Sequence, residues 1–401
     1  MESLKELYKI GVGPSSSHTM GPQRAALRIL QMYPDALRFH VDLYGSLALT
    51  GKGHLTDYII EKTFAPKPVT FSLKSDALPF HPNGMIIHVY NQEDGEVNAI
   101  EVYSVGGGTI LFKGEMEEEP QHIYQQNTMS DILEYVDQQG ISLYDYVLEN
   151  EGEDFDHYLS DILEAMFQSV ENGLKKEGII QGKLKLKRVA KSMFQQAQNT
   201  RREADRERLF ISSYAYAVAE ENADGGIIVT APTCGASGIM PAILYYCYKQ
   251  LHIEKKDLIK ALAIGGLFGN VVKTNATISG ADGGCQAEVG TACAMAAATM
   301  AWIYELNNSL IEYAAEMGLE HNLGLTCDPV GGYVQIPCIE RNGYGSLRAL
   351  DAAMLAKQLG YLRKNKVSFD KIVRVMKETG KDLSSAYKET SLGGLAKEFG
   401  L

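Results

Sequence analysis

Three of the six cysteines sit where glycine and proline force the chain to turn. Cys285 follows Gly283 and Gly284 in "ADGGCQAEVG" (281–290), Cys327 precedes Asp328 and Pro329, and Cys338 follows Pro337 in "TCDPVGGYVQIPCIERN" (326–342). Such turns bring backbone close to a bound group, point N–H donors at sulfur and fix the angle of a thiolate, which suits a metal ion or cluster. Three thiolates on a four-iron cluster would leave one iron open, and an open iron is a Lewis acid. The absence of a C-x-x-C pair weakens a structural zinc site, which usually takes two ligands from one knuckle. A zinc site of three cysteines completed by His321, and three unrelated loop cysteines, are the competing readings.

The other cysteines sort by neighbourhood. Cys247 in "AILYYCYKQ" and Cys293 in "GTACAMAAA" fall inside apolar helical patterns and read as packing residues. Cys234 lies in "TAPTCGASGIMP" (230–241), a turn before a helix expected from Ile239. The N–H groups there, with Thr233 and Ser237, are candidates for holding a carboxylate, and an ordinary loop and cap is the alternative. Ser15, Ser16, Ser17, His18 and Thr19 in "GPSSSHTMGP" stand before another helix, where hydroxyls and an imidazole either bind an anion or simply cap. His54 in "YGSLALTGKGHLTD" is a lone loop histidine, ordinarily exposed. There is no G-x-S-x-G elbow and no phosphate-binding G-x-x-x-x-G-K-[ST] loop.

The elements that must carry these groups fall into two sets. "MGPQRAALRILQMY" has helical spacing, while "HVDLYGSLAL", "KPVTFSL", "GMIIHVY" and "VNAIEVYSV" read as strands, the last two forming a hairpin through "NQEDGE". An α+β domain is therefore expected over 1–114, and the acidic, proline-bearing stretch 115–127 reads as a linker. Beyond it, over 128–401, the pattern is helical almost throughout, and "AEVGTACAMAAATMAWIYEL" is apolar on nearly all sides and expected to be buried. Lys and Arg number 38 against 50 Asp and Glu, and a net charge of −12 opposes a phosphate backbone, so a small-molecule substrate fits better than nucleic acid. The uncharged run from Gly225 to Tyr248 is broken by Pro232 and Pro241 and reads as buried loop plus helix, not a membrane span. The opening residues lack a secretory pattern, so a cytoplasmic location with reduced thiols is expected.

Taken together, these motifs resemble the bacterial iron-sulfur-dependent L-serine dehydratases (L-serine ammonia-lyases), in the form where β and α portions are fused. "GPSSSHTMGP", "YGSLALTGKGHLTD" and "YSVGGGTI" look like the β portion; "TAPTCGASGIMPA", "NATISGADGGCQAEVGTACAMAAA", "CDPVGGYVQIPCIERN" and "YKETSLGGLA" look like the α portion, in order. The resemblance implies a [4Fe-4S] cluster on Cys285, Cys327 and Cys338, conversion of L-serine to pyruvate and ammonia, and a homodimer. Within that reaction, loss of the β-hydroxyl needs a Lewis acid and loss of the α-proton a base. His18 and His54 are the candidates for proton handling, with Ser15, Ser16 and Ser17 near the substrate carboxylate. Lys273 and Asn275 in "VVKTNATISG" either face the pocket, as anchor or base, or mark a surface helix end. Some fused members of the family end in a cysteine that reaches the open iron; this sequence ends "LAKEFGL", and water or hydroxide is expected there instead. A pyridoxal phosphate enzyme would perform the same net reaction, but no convincing lysine and phosphate-loop signature is present. A non-catalytic iron-sulfur redox sensor would require a basic DNA-binding helix pair, which this acidic sequence lacks.

Overall fold

The computed structural model describes residues 1–91, 95–115, 121–388 and 393–399. Two compact units emerge, Val12–Glu119 and a second made of Met1–Gly11 with Pro120–Leu401. After the short strand β1 (Ile10–Val12), the first unit carries helices α1 (Gly21–Met32), α2 (Gly45–Thr50) and α3 (Thr56–Phe64). Strands β2 (Arg38–Tyr44), β3 (Val69–Lys74), β4 (Gly84–Tyr90), β5 (Glu96–Gly106) and β6 (Thr109–Phe112) form one sheet in the order β3-β2-β4-β5-β6. The β2–β3 pair is parallel and the others are antiparallel, so the sheet is mixed. Alternation sets its faces: Phe39, Val41 and Leu43 of β2 and Met85, Ile87 and Val89 of β4 share a core with Ala25, Ala26 and Ile29 of α1 and Ile59, Ile60 and Phe64 of α3. Phe39 and Phe64 stack with ring centroids 3.9 Å apart.

The expected β4–β5 hairpin forms, with Ile87 opposite Ile100, and its turn at 92–94 lies outside the described residues, as does 116–120 of the expected linker. The stretch "HVDLYGSLAL" is strand only as far as Tyr44. Gly45 takes φ +50°, and a Cβ there would meet the Pro82 carbonyl oxygen at 2.5 Å, so the chain leaves the sheet at the one residue able to turn and enters α2.

The second unit is mainly helical. It contains α4 (Met129–Gln139), α5 (Leu143–Glu151), α6 (Phe155–Lys175), α7 (Ala190–Asn199), α8 (Glu203–Ala223), the strand β7 (Ile227–Val229), α9 (Ile239–Lys249) and α10 (Lys255–Asn275). There follow α11 (Gly280–Gly283), α12 (Thr291–Ile303), α13 (Asn308–Glu320), α14 (Cys338–Gly360), α15 (Phe369–Asp382) and α16 (Gly394–Phe399). Within the expected helical stretch, α7 and α8 are separate helices, interrupted at Thr200. α12 packs against α9, α10, α13 and α14, which explains why its sequence has no polar face. Small residues let these axes close up: a Cβ on Gly318 of α13 would lie 3.1 Å from the Ala294 Cα of α12. Arg188 is buried with its charge paired to Glu221 and Asp224, each at 2.8 Å. The first eleven residues belong to this unit, where the Met1 ammonium donates to the Tyr124 carbonyl at 2.8 Å and the Tyr8 hydroxyl to the Leu262 carbonyl at 3.0 Å. Among the described residues, no helix is long and apolar enough to cross a membrane.

The α6–α8 contact is a direct test of this packing. A Cβ on Gly173 would stand 2.2 Å from the Ala217 carbonyl oxygen, which is backbone and has nowhere to retreat. Gly173→Ala is expected to lower unfolding free energy by about 1–3 kcal/mol in urea titrations, although alanine normally favours a helix over glycine.

Candidate active site

Two polar constellations stand out, one in each unit. In the helical unit, the Cys285 and Cys327 sulfurs and a Glu288 carboxylate oxygen lie within 4.8 Å of one another. Cys285 is delivered by a tight turn: Gly284 has φ +73°, and a Cβ there would strike the Leu325 carbonyl oxygen at 2.7 Å. The chain then runs straight into a π-turn, Gln286–Gly290, which carries Glu288. A π-turn is frequent at functional sites because it re-aims side chains that regular helix would stack. Cys327 comes from a loop, its N–H donating to the Tyr387 carbonyl at 2.8 Å. Cys338 is the first residue of α14, and the next turn of that helix supplies Arg341.

Electrostatics tie the third cysteine to the other two. Burial works against the Arg341 charge, but Cys285, Cys338 and Asp328 around the guanidinium more than offset it and hold it protonated. Arg341 also donates to the Thr326 carbonyl at 2.5 Å. The Cys285 thiol is held below its ordinary value, chiefly by its hydrogen bond with Cys327 and with help from Arg341, against burial and the Glu288 charge. A thiol held low beside a guanidinium is ready to ligate metal. By contrast, burial pushes Cys247 and Cys293 up to about 12, in keeping with their reading as packing residues.

The remaining walls were only partly legible in the sequence. Thr233 donates its hydroxyl to Glu288 Oε1 at 2.8 Å, so it supports the site through Glu288. A Cβ on Gly280 would sit 2.6 Å from Glu288 Oε2 and 3.3 Å from Cys327 Sγ, so the backbone forms a cradle that only glycine permits. Asn342, not anticipated from sequence, locks two segments together. Its Nδ2 donates to the Gly235 and Cys338 carbonyls at 2.7 and 2.8 Å, and its Oδ1 accepts the Gly238 N–H at 2.8 Å. Ser237 is buried in the same turn. Arg341 and Asn342 sit in the quoted "CIERN", three and four residues after Cys338, and helical spacing was the signal that could have found them.

Lys273 and Asn275 lie at the C-terminal end of α10. Lys273 is half-buried and pairs with Glu2 at 2.5 Å, and Asn275 donates to the Asn127 carbonyl at 2.6 Å. Their hydrogen bonds go to these groups and not to the cysteines. His321 caps α13 and does not belong to the group of Cys285, Glu288 and Cys327.

The second constellation lies in the α+β unit. Ser15 caps a π-turn, Ser16–Met20, by accepting the His18 N–H at 3.2 Å. The His18 ring lies between the Ser17 hydroxyl at 2.9 Å and the Ser46 hydroxyl at 2.8 Å, with the His54 ring centroid 4.7 Å away. His54 is 2% exposed, not the surface loop residue that a lone histidine ordinarily is. Its Nδ1 lies 3.0 Å from the Thr50 carbonyl oxygen. A carbonyl only accepts, so in the neutral ring Nδ1 carries the proton and Nε2 is basic. Thr19 fixes the loop by donating to the His54 carbonyl at 2.7 Å. Burial holds both imidazoles below their ordinary value, His18 the further because His54 and then His81 add to it.

Comparison with known proteins identifies the family. Residues 90–396 match the model of the serine dehydratase alpha chain, and residues 3–63 and 61–115 match that of the serine dehydratase beta chain. The chain belongs to the serine dehydratase family. Both portions are fused in this one chain, as the sequence motifs suggested. Relatives in the family include the L-serine dehydratases of Haemophilus influenzae, 38% identical and covering 99% of each chain, and of Streptomyces coelicolor, 40% identical and covering 98% of each. L-serine dehydratase 1 of Escherichia coli is 37% identical over 99% of each chain.

The donor set of this serine dehydratase fits an iron-sulfur centre. It offers soft sulfur ligands, a thiol already drawn toward thiolate, a cation to balance excess negative charge, and a glycine-lined wall.

Charging a buried imidazole has a stability consequence. Both histidines bind protons less readily folded than unfolded, so the unfolded chain takes up more protons as pH falls through the ordinary value of 6.5. Stability is therefore present above about pH 6.5 and declines below it until the folded rings also titrate. His18→Gln with His54→Gln should flatten that decline in thermal melts between about pH 7.5 and about pH 5.5, and imidazole NMR should find both rings titrating below the ordinary value of 6.5.

Proposed function

We propose that this chain is an L-serine ammonia-lyase, dehydrating L-serine to aminoacrylate at a [4Fe-4S] cluster held by Cys285, Cys327 and Cys338. Membership of the serine dehydratase family supports a lyase acting on serine. The observation that carries the metal-dependent reading is the gathering of Cys285 and Cys327 with Arg341, which also neighbours Cys338. When bound, the cluster supplies a Lewis-acidic iron that weakens the bond to the departing β-hydroxyl.

The residues of the chain do the rest. Neutral His54, with Nδ1 pinned to Thr50, offers Nε2 as proton acceptor for the substrate α-carbon. His18 lies between the Ser17 and Ser46 hydroxyls, which can return or relay that proton. The hydroxyls of Ser15, Ser16 and Ser17 are the proposed donors to the substrate carboxylate. Thr233 positions Glu288, and Ser237 contributes through the turn that Asn342 fixes. Lys273 holds α10 to the N-terminal segment and Asn275 holds it to Asn127, and we assign them no proton transfer. Aminoacrylate tautomerises to the imine, and water then releases ammonia and pyruvate without further need of the protein. Balance is kept: one water leaves in the elimination and one enters in the hydrolysis. The same reading places the enzyme in the cytoplasm as a homodimer acting on a small molecule.

One observation favours a second reading of the metal. Three donor atoms within 4.8 Å of one another also suit a single divalent ion. Anaerobic purification separates the two readings, since a cluster brings about four irons and acid-labile sulfide per chain and a single ion about one metal and no sulfide. Pyruvate formation from L-serine should vanish in air together with the visible absorption and return with iron and reductant. Cys285→Ser, Cys327→Ser and Cys338→Ser should each lower turnover at least about a hundredfold with loss of iron, whereas Cys247→Ala and Cys293→Ala should keep both. Oxygen-stable pyruvate formation by metal-free protein would overturn the proposal.

A further inference from the structure

Building on that reading, we infer that Glu288 is a direct protein ligand of the metal centre, holding its remaining coordination position in the absence of substrate. The first observation is placement. A Glu288 carboxylate oxygen belongs to the same group as the Cys285 and Cys327 sulfurs, all within 4.8 Å of one another, so the carboxylate lines the same pocket as the thiols that would hold the centre.

The second is that the two carboxylate oxygens are differentiated. Thr233 donates its hydroxyl to Oε1 at 2.8 Å, while Oε2 accepts from the Cys327 thiol at 4.0 Å and so faces the sulfur. A ligating carboxylate is commonly fixed in this way, with one oxygen hydrogen-bonded by an outer neighbour and the other presented to the metal. The wall on the Oε2 side is Gly280, where a Cβ would stand 2.6 Å from that oxygen. Any other residue at this position would push the carboxylate aside.

The third is charge. A carboxylate set among sulfurs that ligate as thiolates is repulsive unless a cation joins them. Arg341 lies beside Cys285 and Cys338, and a metal ligated by Glu288 would supply the balance on the carboxylate side. The π-turn Gln286–Gly290 gives the local cause, since it breaks regular stacking between Cys285 and Glu288 and lets both aim at one point.

The test uses the anaerobically purified holoenzyme enriched in iron-57. Its Mössbauer spectrum without substrate should resolve one iron environment with an oxygen ligand, and Glu288→Gln should change that environment while leaving the sulfur-bound irons unchanged. Release of iron to a chelator should quicken by about tenfold or more in the variant. Glutamine keeps shape and volume, and far-ultraviolet circular dichroism checks the fold. Should the variant nevertheless misfold, wild-type protein grown on carbon-13 carboxylate-labelled glutamate answers the question. Electron-nuclear double resonance of the reduced centre should then show a strong carbon-13 coupling, and its absence would overturn the ligand assignment. Identical spectra and release rates in wild type and variant would overturn the inference while leaving the iron-dependent reading intact. A wild-type protein that holds no iron would overturn both.

Discussion

Gathering two thiols and a carboxylate within 4.8 Å of one another, with a third cysteine beside the same arginine, is an electrostatic demand that the helical unit is built to meet. Like charges about 4 Å apart repel by roughly 4 kcal/mol at the effective dielectric of a protein surface, and the penalty grows with burial. Nothing in a loose loop would sustain that. The chain answers with Arg341, which keeps its charge because acidic groups surround it, and with the Thr233 hydroxyl on the carboxylate. These are partial remedies. A cation at the centre would complete them, which supports the proposed reading of the surrounding protein as scaffolding for a metal.

Scaffolding of this kind must fix segments far apart in sequence. Gln286, fully buried beside Cys285, accepts the Gly324 N–H at 3.0 Å and so ties the Cys285 turn to the loop leading to Cys327. Asn342 ties the Thr233 turn to the start of α14 and therefore to Cys338. Removing the Asn342 amide would leave the buried Gly238 N–H without this partner, at a cost of about 1–3 kcal/mol. Behind both stands α12, which begins where the π-turn ends and is enclosed by α9, α10, α13 and α14. Its alanines and the facing Gly318 bring the helices close enough that the turn before it has no room to shift.

Legibility in the sequence followed the range of the interactions. The α+β and helical division, the β4–β5 hairpin and the buried α12 depend on local periodicity, and periodicity was visible. The halving of "HVDLYGSLAL" into β2 and α2 was not, because the deciding contact is between Gly45 and the distant Pro82 carbonyl. Glycines beside cysteine marked Cys285, and proline marked Cys327 and Cys338, since tight turns need those residue types. Glu288 went unnoticed because a glutamate three residues into a helical run usually faces solvent. The same limitation hid the pairing of His18 with His54, whose rings are brought together by packing alone. Lys273 shows the converse: a lysine near the right motif invites a role, while its ammonium is engaged by Glu2, a residue 271 positions away.

The proposed chemistry gains a physical logic from the state of the two histidines. A base must be unprotonated to accept a proton, and burial secures that for His18 and His54 at neutral pH. The same burial makes each a weaker base, so an imidazole held in this state cannot by itself remove a proton from carbon at a useful rate. Assistance has to come from the other end of the bond being broken, by making hydroxide a better leaving group and the α-proton correspondingly more acidic. That is what a Lewis acid supplies, and soft sulfur ligands beside a guanidinium are how a protein holds one. In the proposed reaction a weak base and a strong acid therefore depend on each other.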